Sequence, residues 1–296
     1  MKNLISMTNL TSRIGFPLQL DISTSKILFG NNVTGEYWEK TLAGNSVSGD
    51  ALWKSMMFAS GFTDKQGNIT REPDLKQFLE NPDSVLYYGY RNIFLNNPSL
   101  LDILKQHKIR PDITILPPGC IGKEFLRTEG HEHIERLPEI YEVIHGKAAY
   151  LLFKTQKQNQ ECIEDVMLIL AEEGEHVLFP PFYHHISYNV SNVPLIMTDF
   201  LSTNAKSDFK YIKKHNGAPY WLANNKGKIK TIKNPQYKKA RLRTIKPSAE
   251  IPELFLRKNC PMFALVQQKR YKNLFELLND NSDKFSEIYR KAFVAC

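Results

Sequence analysis

Residues 118–146 read PGCIGKEFLRTEGHEHIERLPEIYEVIHG, and the rest of the chain is best read outward from them. Side chains two apart on a strand project from the same face, so His131 and His133 point together. Glu139 opens the alternating segment Glu139-Ile-Tyr-Glu-Val-Ile and reaches the same point from the next strand. Two imidazoles and a carboxylate converging in this way suit a divalent first-row metal. A fourth ligand is expected from a distant strand. The run GEHVLFPPFYHHISYN at 174–189, apolar and broken by Pro180-Pro181, offers one, and its spacing singles out His185.

Around these two blocks the pattern is one of short strands. Apolar and β-branched runs at 113–116, 122–127, 140–144, 148–153, 166–170, 176–179, 186–190 and 194–201 are separated by Gly, Pro and Asn turns. That spacing indicates an antiparallel sandwich or barrel, an all-β core. Upstream, GFPLQLDISTSKILFG at 15–30 is expected as an edge hairpin around Ser23-Thr24-Ser25, and SVLYYGYRNIF at 84–94 as a strand carrying Tyr87, Tyr88 and Tyr90. Helical spacing through Leu52, Met56, Met57 and Ala59, with Asp50 as cap and Gly61 as stop, predicts a helix over 50–62. Asn97-Pro98-Ser99 should start another that runs to His107. Downstream, 217–222 and 228–232 are expected as edge strands joined by a turn at Asn225-Lys-Gly. After Pro247 the composition shifts, and 263–279 and 283–293 show helical apolar spacing. The expected divisions are a loose leader over 1–12, N-terminal strands and helices packing on the barrel over 13–110, a barrel core with following edge strands over 111–239, and a small C-terminal helical extension over 240–296 that packs on the barrel or on a partner subunit.

At 296 residues, 42% hydrophobic and 11% aromatic, the chain can bury a sizeable core. No apolar run approaches the length that spans a bilayer, and MKNLISMTNLTSR at the start lacks the apolar block of a secretory signal. A cytoplasmic protein with no membrane partner is expected. Cys120, Cys162, Cys260 and Cys296 form no CxxC pair, so neither a zinc ribbon nor a disulfide framework is indicated. Cys120, just before the first block, is expected as a small core filler. The net charge of +8 is concentrated between Lys206 and Lys246, where Asp208 is the only acid. Without a zinc finger, a helix-turn-helix pattern or an aromatic stacking series, this stretch reads as a solvated face, or as a field that draws in an anionic substrate, rather than a nucleic-acid track.

The blocks H-x-H-x5-E-x6-G, from His131 to Gly146, and G-x5-P-x4-H-x3-N, from Gly174 to Asn189, resemble the two motifs of the cupins, whose fold is a double-stranded β-helix or jelly-roll barrel. They depart from the pattern in three places. Phe125 stands where the first motif opens with glycine, the gap before the glutamate is a residue or two longer, and Phe182 replaces a glycine of the second motif. More specifically, TILPPGCIGKEFLRTEGHEH from Thr114 and PEIYEVIHGKAAYLL from Pro138 resemble the archaeal-type, cupin-fold glucose-6-phosphate isomerase family, with likeness running from about Gly15 through 234–239. The resemblance implies that His131, His133, Glu139 and His185 are the metal ligands, that Tyr87, Thr114, Thr128 and the backbone at Gly130 form the sugar-phosphate site, that Tyr141 stands beside the metal, and that the protein is a homodimer. Hydroxyls and a glycine-freed N–H suit a dianionic phosphate, which a carboxylate would repel. Where some members carry Tyr, His and Tyr, this chain has Leu201, Ser207 and Phe209; Lys206 offers a flexible point charge toward the lost phosphate affinity.

The implied activity is a metal-dependent aldose–ketose isomerisation between glucose 6-phosphate and fructose 6-phosphate. A metal polarises the carbonyl as Lewis acid. Glu139 is the candidate base of an enediol route, with Tyr141 as proton partner; in a hydride-shift route the metal does more and Glu139 less, and both routes stay open. The ligand set accepts iron, taken first, or manganese, nickel or zinc. Two other classes share these ligands. A cupin dioxygenase would use iron but would want an apolar pocket for an aromatic substrate, and a non-catalytic sugar-phosphate-binding or regulatory cupin would fit the basic stretch.

Overall fold

The chain's fold, seen in a computed structural model that describes residues 7–41, 85–156, 159, 162–237 and 240–295, is built on two facing sheets. The first has six strands in the order His176–Phe179, Glu139–His145, Leu195–Ser202, Ile109–Leu116, Val85–Leu95 and Val33–Thr41, each antiparallel to its neighbours. The second has five, in the order His184–Asn189, Lys147–Thr155, Ile163–Glu172, Leu242–Pro247 and Phe293–Ala295. Tyr141, Val143 and Met197 from the first sheet meet Tyr150, Leu152 and Met167 from the second to form the core between them, joined by Trp221. This is the double-stranded barrel that the paired motifs imply.

The central barrel strands lack the clean alternation of a two-layer sandwich because both of their faces are covered. Every residue of Glu139–His145 and of Leu195–Ser202 is buried, so these strands read as continuous apolar runs interrupted by isolated polar groups. Behind the first sheet, Ile140, Ile196 and Phe200 pack against the C-terminal helices through Phe263, Leu274 and Phe275. Phe200 lies edge-on to Phe263 with ring centroids 5.0 Å apart, a pairing worth about 0.5–1.5 kcal/mol beyond area burial. Behind the second sheet, Leu151, Phe153 and Ile186 pack on Ile212, Leu222 and Tyr237.

Most expected elements lie close to their places. The hairpin forms from Leu18–Asp21 and Lys26–Phe29, and helix Pro98–Gln106 is capped by Asn97, whose side chain accepts from the Leu100 N–H. Other elements differ. The stretch read as a loose leader is built into the fold from Met7: Met7–Asn9 pairs with Leu18–Asp21, and Leu10 is fully buried. The strand expected over 122–127 is instead a tight hairpin, Cys120–Ile121 against Glu124–Phe125, turned at Gly122, whose φ is +58°. The single helix expected over 263–279 is two, Met262–Gln267 and Lys272–Leu278, parted where Lys269 takes φ +59°. The segment from 240 is not wholly helical. Leu242–Pro247 joins the second sheet parallel to Ile163–Glu172, and Phe293–Ala295 returns to pair with it. Parallel pairing has no short-range sequence signal, since its partners must be distant. The basic hairpin strand Lys228–Lys233 forms the edge of a small four-stranded sheet with Lys228, Lys230 and Lys233 exposed, a charge pattern that keeps an edge from pairing with other chains. The helix expected over 50–62 lies outside the described residues.

Candidate active site and metal centre

The two sequence blocks meet because residues 126–131 run antiparallel to His184–Asn189. The His131 N–H donates to the His185 carbonyl at 3.2 Å, and the His185 N–H returns to the His131 carbonyl at 2.9 Å. His133 follows two residues on, paired with Ser207. Glu139 enters from the facing sheet at the start of its strand. Side-chain ligand atoms of His131, His133, Glu139 and His185 consequently lie within 4.8 Å of one another.

Three of these buried atoms, His133 Nε2, Glu139 Oε2 and His185 Nε2, make no hydrogen bond. Glu139 Oε2 stands 3.7 Å from His133 Nε2 and 3.2 Å from His185 Nε2. Orphaned polar atoms of this kind cost about 1–3 kcal/mol each when nothing satisfies them, and three aimed at one point fit a cation. The other ring nitrogen of His133, Nδ1, lies 2.8 Å from the Leu137 carbonyl, which orients the ring and leaves Nε2 toward the centre, as a metal-ligating histidine requires. Burial, and then the neighbouring imidazoles, push His131 and His185 well below the usual histidine range, so both present neutral nitrogens with a lone pair to donate. The donor set could hold a divalent metal ion.

The turn before His131 is fixed from behind. Arg127 and Glu124 form a fully buried ion pair at 2.8 Å, and Arg127 also donates to the carbonyls of Thr128 and Glu129 at 3.0 and 3.3 Å. Thr128 Oγ1 accepts the Ser187 N–H at 3.0 Å, and the Tyr87 hydroxyl accepts the Glu129 N–H at 3.0 Å. Gly130 has φ +82°, and a Cβ there would stand 2.3 Å from Ile186 Cγ1; both the conformation and the close approach call for glycine.

A cavity of about 100 Å³ opens onto this centre, room for about three waters or the reacting end of a small molecule. Its wall brings together Tyr87, Thr114, Thr128, Gly130, His131, Glu139, Tyr141 and His185. His133 serves the same centre from behind the wall. Leu201, Ser207 and Phe209 also line it, whereas Lys206 does not: its backbone N–H binds Glu135 Oε2 at 2.8 Å, and its side chain is exposed on the surface. Cys120 lies instead in a separate hollow with Phe125 and Asn192.

Sequence reading missed Trp38, Arg91, Arg110, Asp112 and Asp199, which complete the wall. Interstrand register explains them. Tyr141 sits opposite Asp199, Asp199 opposite Asp112, and Leu201 opposite Arg110. A charged row thus crosses the inner sheet below Glu139. Burial, then the charges of Glu139 and Asp112, push Asp199 well above the usual carboxylate range. Asp112 is pushed up to about 6 by burial, held back by the charge of Arg110. Tyr141 is pushed up by burial and then by Glu139, so its hydroxyl keeps its proton beside the carboxylate. The available signal was a lone charge in an otherwise uncharged strand, as Asp199 is in Leu195–Ser202.

Residues 60–238 match the family model described as glucose-6-phosphate isomerase. The chain belongs to the glucose-6-phosphate isomerase family. It is 29% identical over 179 residues to the glucose-6-phosphate isomerase of Pyrococcus furiosus, covering 60% of this chain and 86% of that one. To the Pyrococcus horikoshii glucose-6-phosphate isomerase it is 28% identical over 177 residues, covering 60% and 85%. A solved recombinant oxalate oxidase in complex with glycolate shares 18% identity, covering 35% of this chain and 46% of that one with a TM-score of 0.29. The glucose-6-phosphate isomerase match ends at 238, so Leu242–Pro247 and the C-terminal helices lie beyond it.

Proposed function

We propose that this member of the family is a metal-dependent isomerase that interconverts glucose 6-phosphate and fructose 6-phosphate. What carries the reading is one cavity at which a four-residue donor set, Glu139 among it, meets a group of hydroxyls and backbone donors. His131, His133, Glu139 and His185 would hold one divalent ion, with iron the first to test. When bound, it supplies Lewis-acid polarisation of the substrate carbonyl and its neighbouring hydroxyl. Glu139 stands at the centre, takes the proton from one of the first two sugar carbons and returns it to the other. Tyr141, protonated and close to Glu139, gives its proton to the sugar oxygen that becomes a hydroxyl and regains one from the neighbouring hydroxyl that becomes the carbonyl. Thr114, Thr128, Tyr87 and the Gly130 N–H fix the phosphate and so fix which carbons lie beside Glu139. The charged wall of Arg91, Arg110, Asp112 and Asp199 speaks against an aromatic-substrate dioxygenase.

The protein is further proposed to act in the cytoplasm as a homodimer. Among the described residues Val33–Thr41 ends the six-stranded sheet with Tyr37 more than half exposed, and a second copy would cover that edge. Among the described residues no helix is long and apolar enough to cross a membrane. Metal content measured together with a coupled assay on fructose 6-phosphate tests the activity. Glu139→Gln is expected to lower turnover by about 10²–10⁴ while fructose 6-phosphate still binds. Full activity of that variant with metal bound would remove Glu139 as the base. Sedimentation as a monomer at micromolar concentration would remove the dimer.

A further inference from the structure

Tyr87 and Arg91 line the cavity from one face of Val85–Leu95, with Gly89 between them on that face. Gly89 leaves room for Trp38: a Cβ at 89 would stand 2.8 Å from Trp38 Cζ2 and 2.1 Å from the Ile113 carbonyl. The indole so admitted forms a floor for Arg91, whose guanidinium carbon lies 5.6 Å from its ring centroid. Such stacking orients a guanidinium without using its N–H donors. Tyr90 pairs with Ile113, which sets Arg91 beside Asp112 at the mouth of the cavity.

The two arginines of the wall differ in their commitments. Arg110 Nε donates to both Asp112 oxygens, at 3.1 and 2.9 Å, so its charge is matched. For Arg91 the described residues show no carboxylate within ion-pair distance. Arg91 lines the same cavity as Tyr87, Thr128 and Gly130, where the neutral donors stand. Leu201, Ser207 and Phe209 bring no cation to the wall, and Lys206 is outside it. Among the described residues of the wall, Arg91 is thus the positive charge without a carboxylate partner next to a set of neutral donors, and its planar fork matches two phosphate oxygens at once.

We propose that Arg91, seated on Trp38, is the phosphate-binding cation of this cavity and sets its preference for a phosphorylated over a free sugar. The inference deepens the isomerase reading by naming its specificity residue, and rests on that reading only for the sugar part. The test uses the metal-loaded full chain and its Arg91→Gln and Arg91→Lys variants. Calorimetry with inorganic phosphate, fructose 6-phosphate and fructose is paired with KM and kcat in the coupled assay. Arg91→Gln is expected to weaken phosphate and fructose 6-phosphate binding by about 10- to 100-fold, with fructose binding, metal content and kcat unchanged. Arg91→Lys should recover part of the loss. Wild-type affinity of Arg91→Gln for both anions overturns the proposal, and so does an equal loss for fructose. A chain that binds fructose 6-phosphate through Arg91 without isomerising it would sink the isomerase reading and leave the anion site standing.

Discussion

Thr128→Val separates two jobs that one hydroxyl holds. Thr128 Oγ1 accepts the Ser187 N–H at 3.0 Å, while the Thr128 N–H donates to the Ser187 carbonyl at 2.9 Å. The hydroxyl proton is left for a ligand in the cavity that Thr128 lines. Valine keeps the shape and the strand preference but removes the oxygen. The stranded Ser187 N–H should lower stability by about 1–3 kcal/mol, read as roughly 2–4 °C of Tm per kcal/mol. Loss of a donor to a charged phosphate costs a further 1.5–3 kcal/mol of binding, or about 10- to 100-fold in KM for fructose 6-phosphate. Metal per chain and kcat should stay near wild type. Thr128→Ser retains both the acceptor and the donor and should stay within about threefold in KM. The assay compares metal content, thermal unfolding and KM at matched ionic strength. A valine variant with wild-type KM would show that this hydroxyl does not touch the phosphate, and one with wild-type Tm would show that Ser187 finds another acceptor.

His185→Ala removes one donor of four and should lower metal affinity by more than about 100-fold, beyond what losing an outer-shell partner costs; unchanged metal per chain after dialysis refutes the centre. Chelation of the wild type should lower Tm, because His133 Nε2, Glu139 Oε2 and His185 Nε2 are left without a partner, and an unshifted Tm would contradict that. Gly130→Ala meets both the positive φ and the 2.3 Å approach to Ile186, together about 2–4 kcal/mol; denaturant unfolding within 0.5 kcal/mol of wild type would refute the packing argument. Glu142 and His176 are buried 3.8 Å apart on the far side of the first sheet. Burial pushes Glu142 well above its ordinary 4.5 and His176 down from 6.5 to about 4. The folded pair then keeps one proton, on Glu142, to higher pH than the unfolded chain, which holds one between pH 4.5 and 6.5 and none above. Stability from the pair is therefore level in that window and falls above it by about 1.4 kcal/mol per pH unit until Glu142 ionises. Glu142→Gln abolishes that fall, so parallel stability–pH curves for the two proteins above pH 6.5 would refute it.

The local parts were legible in the sequence. The four donor residues, the helix cap at Asn97 and the strand His176–Phe179 each follow from spacing or residue type within a few positions, which is the range over which backbone geometry fixes side-chain direction. The backbone donor at Gly130 is named by family likeness alone, and the reason for glycine there, the Ile186 side chain in the space of a Cβ, comes from a strand more than fifty positions away. What the sequence could not give was register across the sheets. The row Tyr141, Asp199, Asp112 and the two arginines beside it depend on which residues stand opposite one another, and a shift of one position would turn every one of those side chains to the other face. The parallel strand Leu242–Pro247 was hidden for a related reason, since its polar, exposed residues pair with a segment some seventy-five positions earlier. Spacing along the chain thus determined which groups could bind a metal, and the pairing of strands distant in sequence decided which charges surround it.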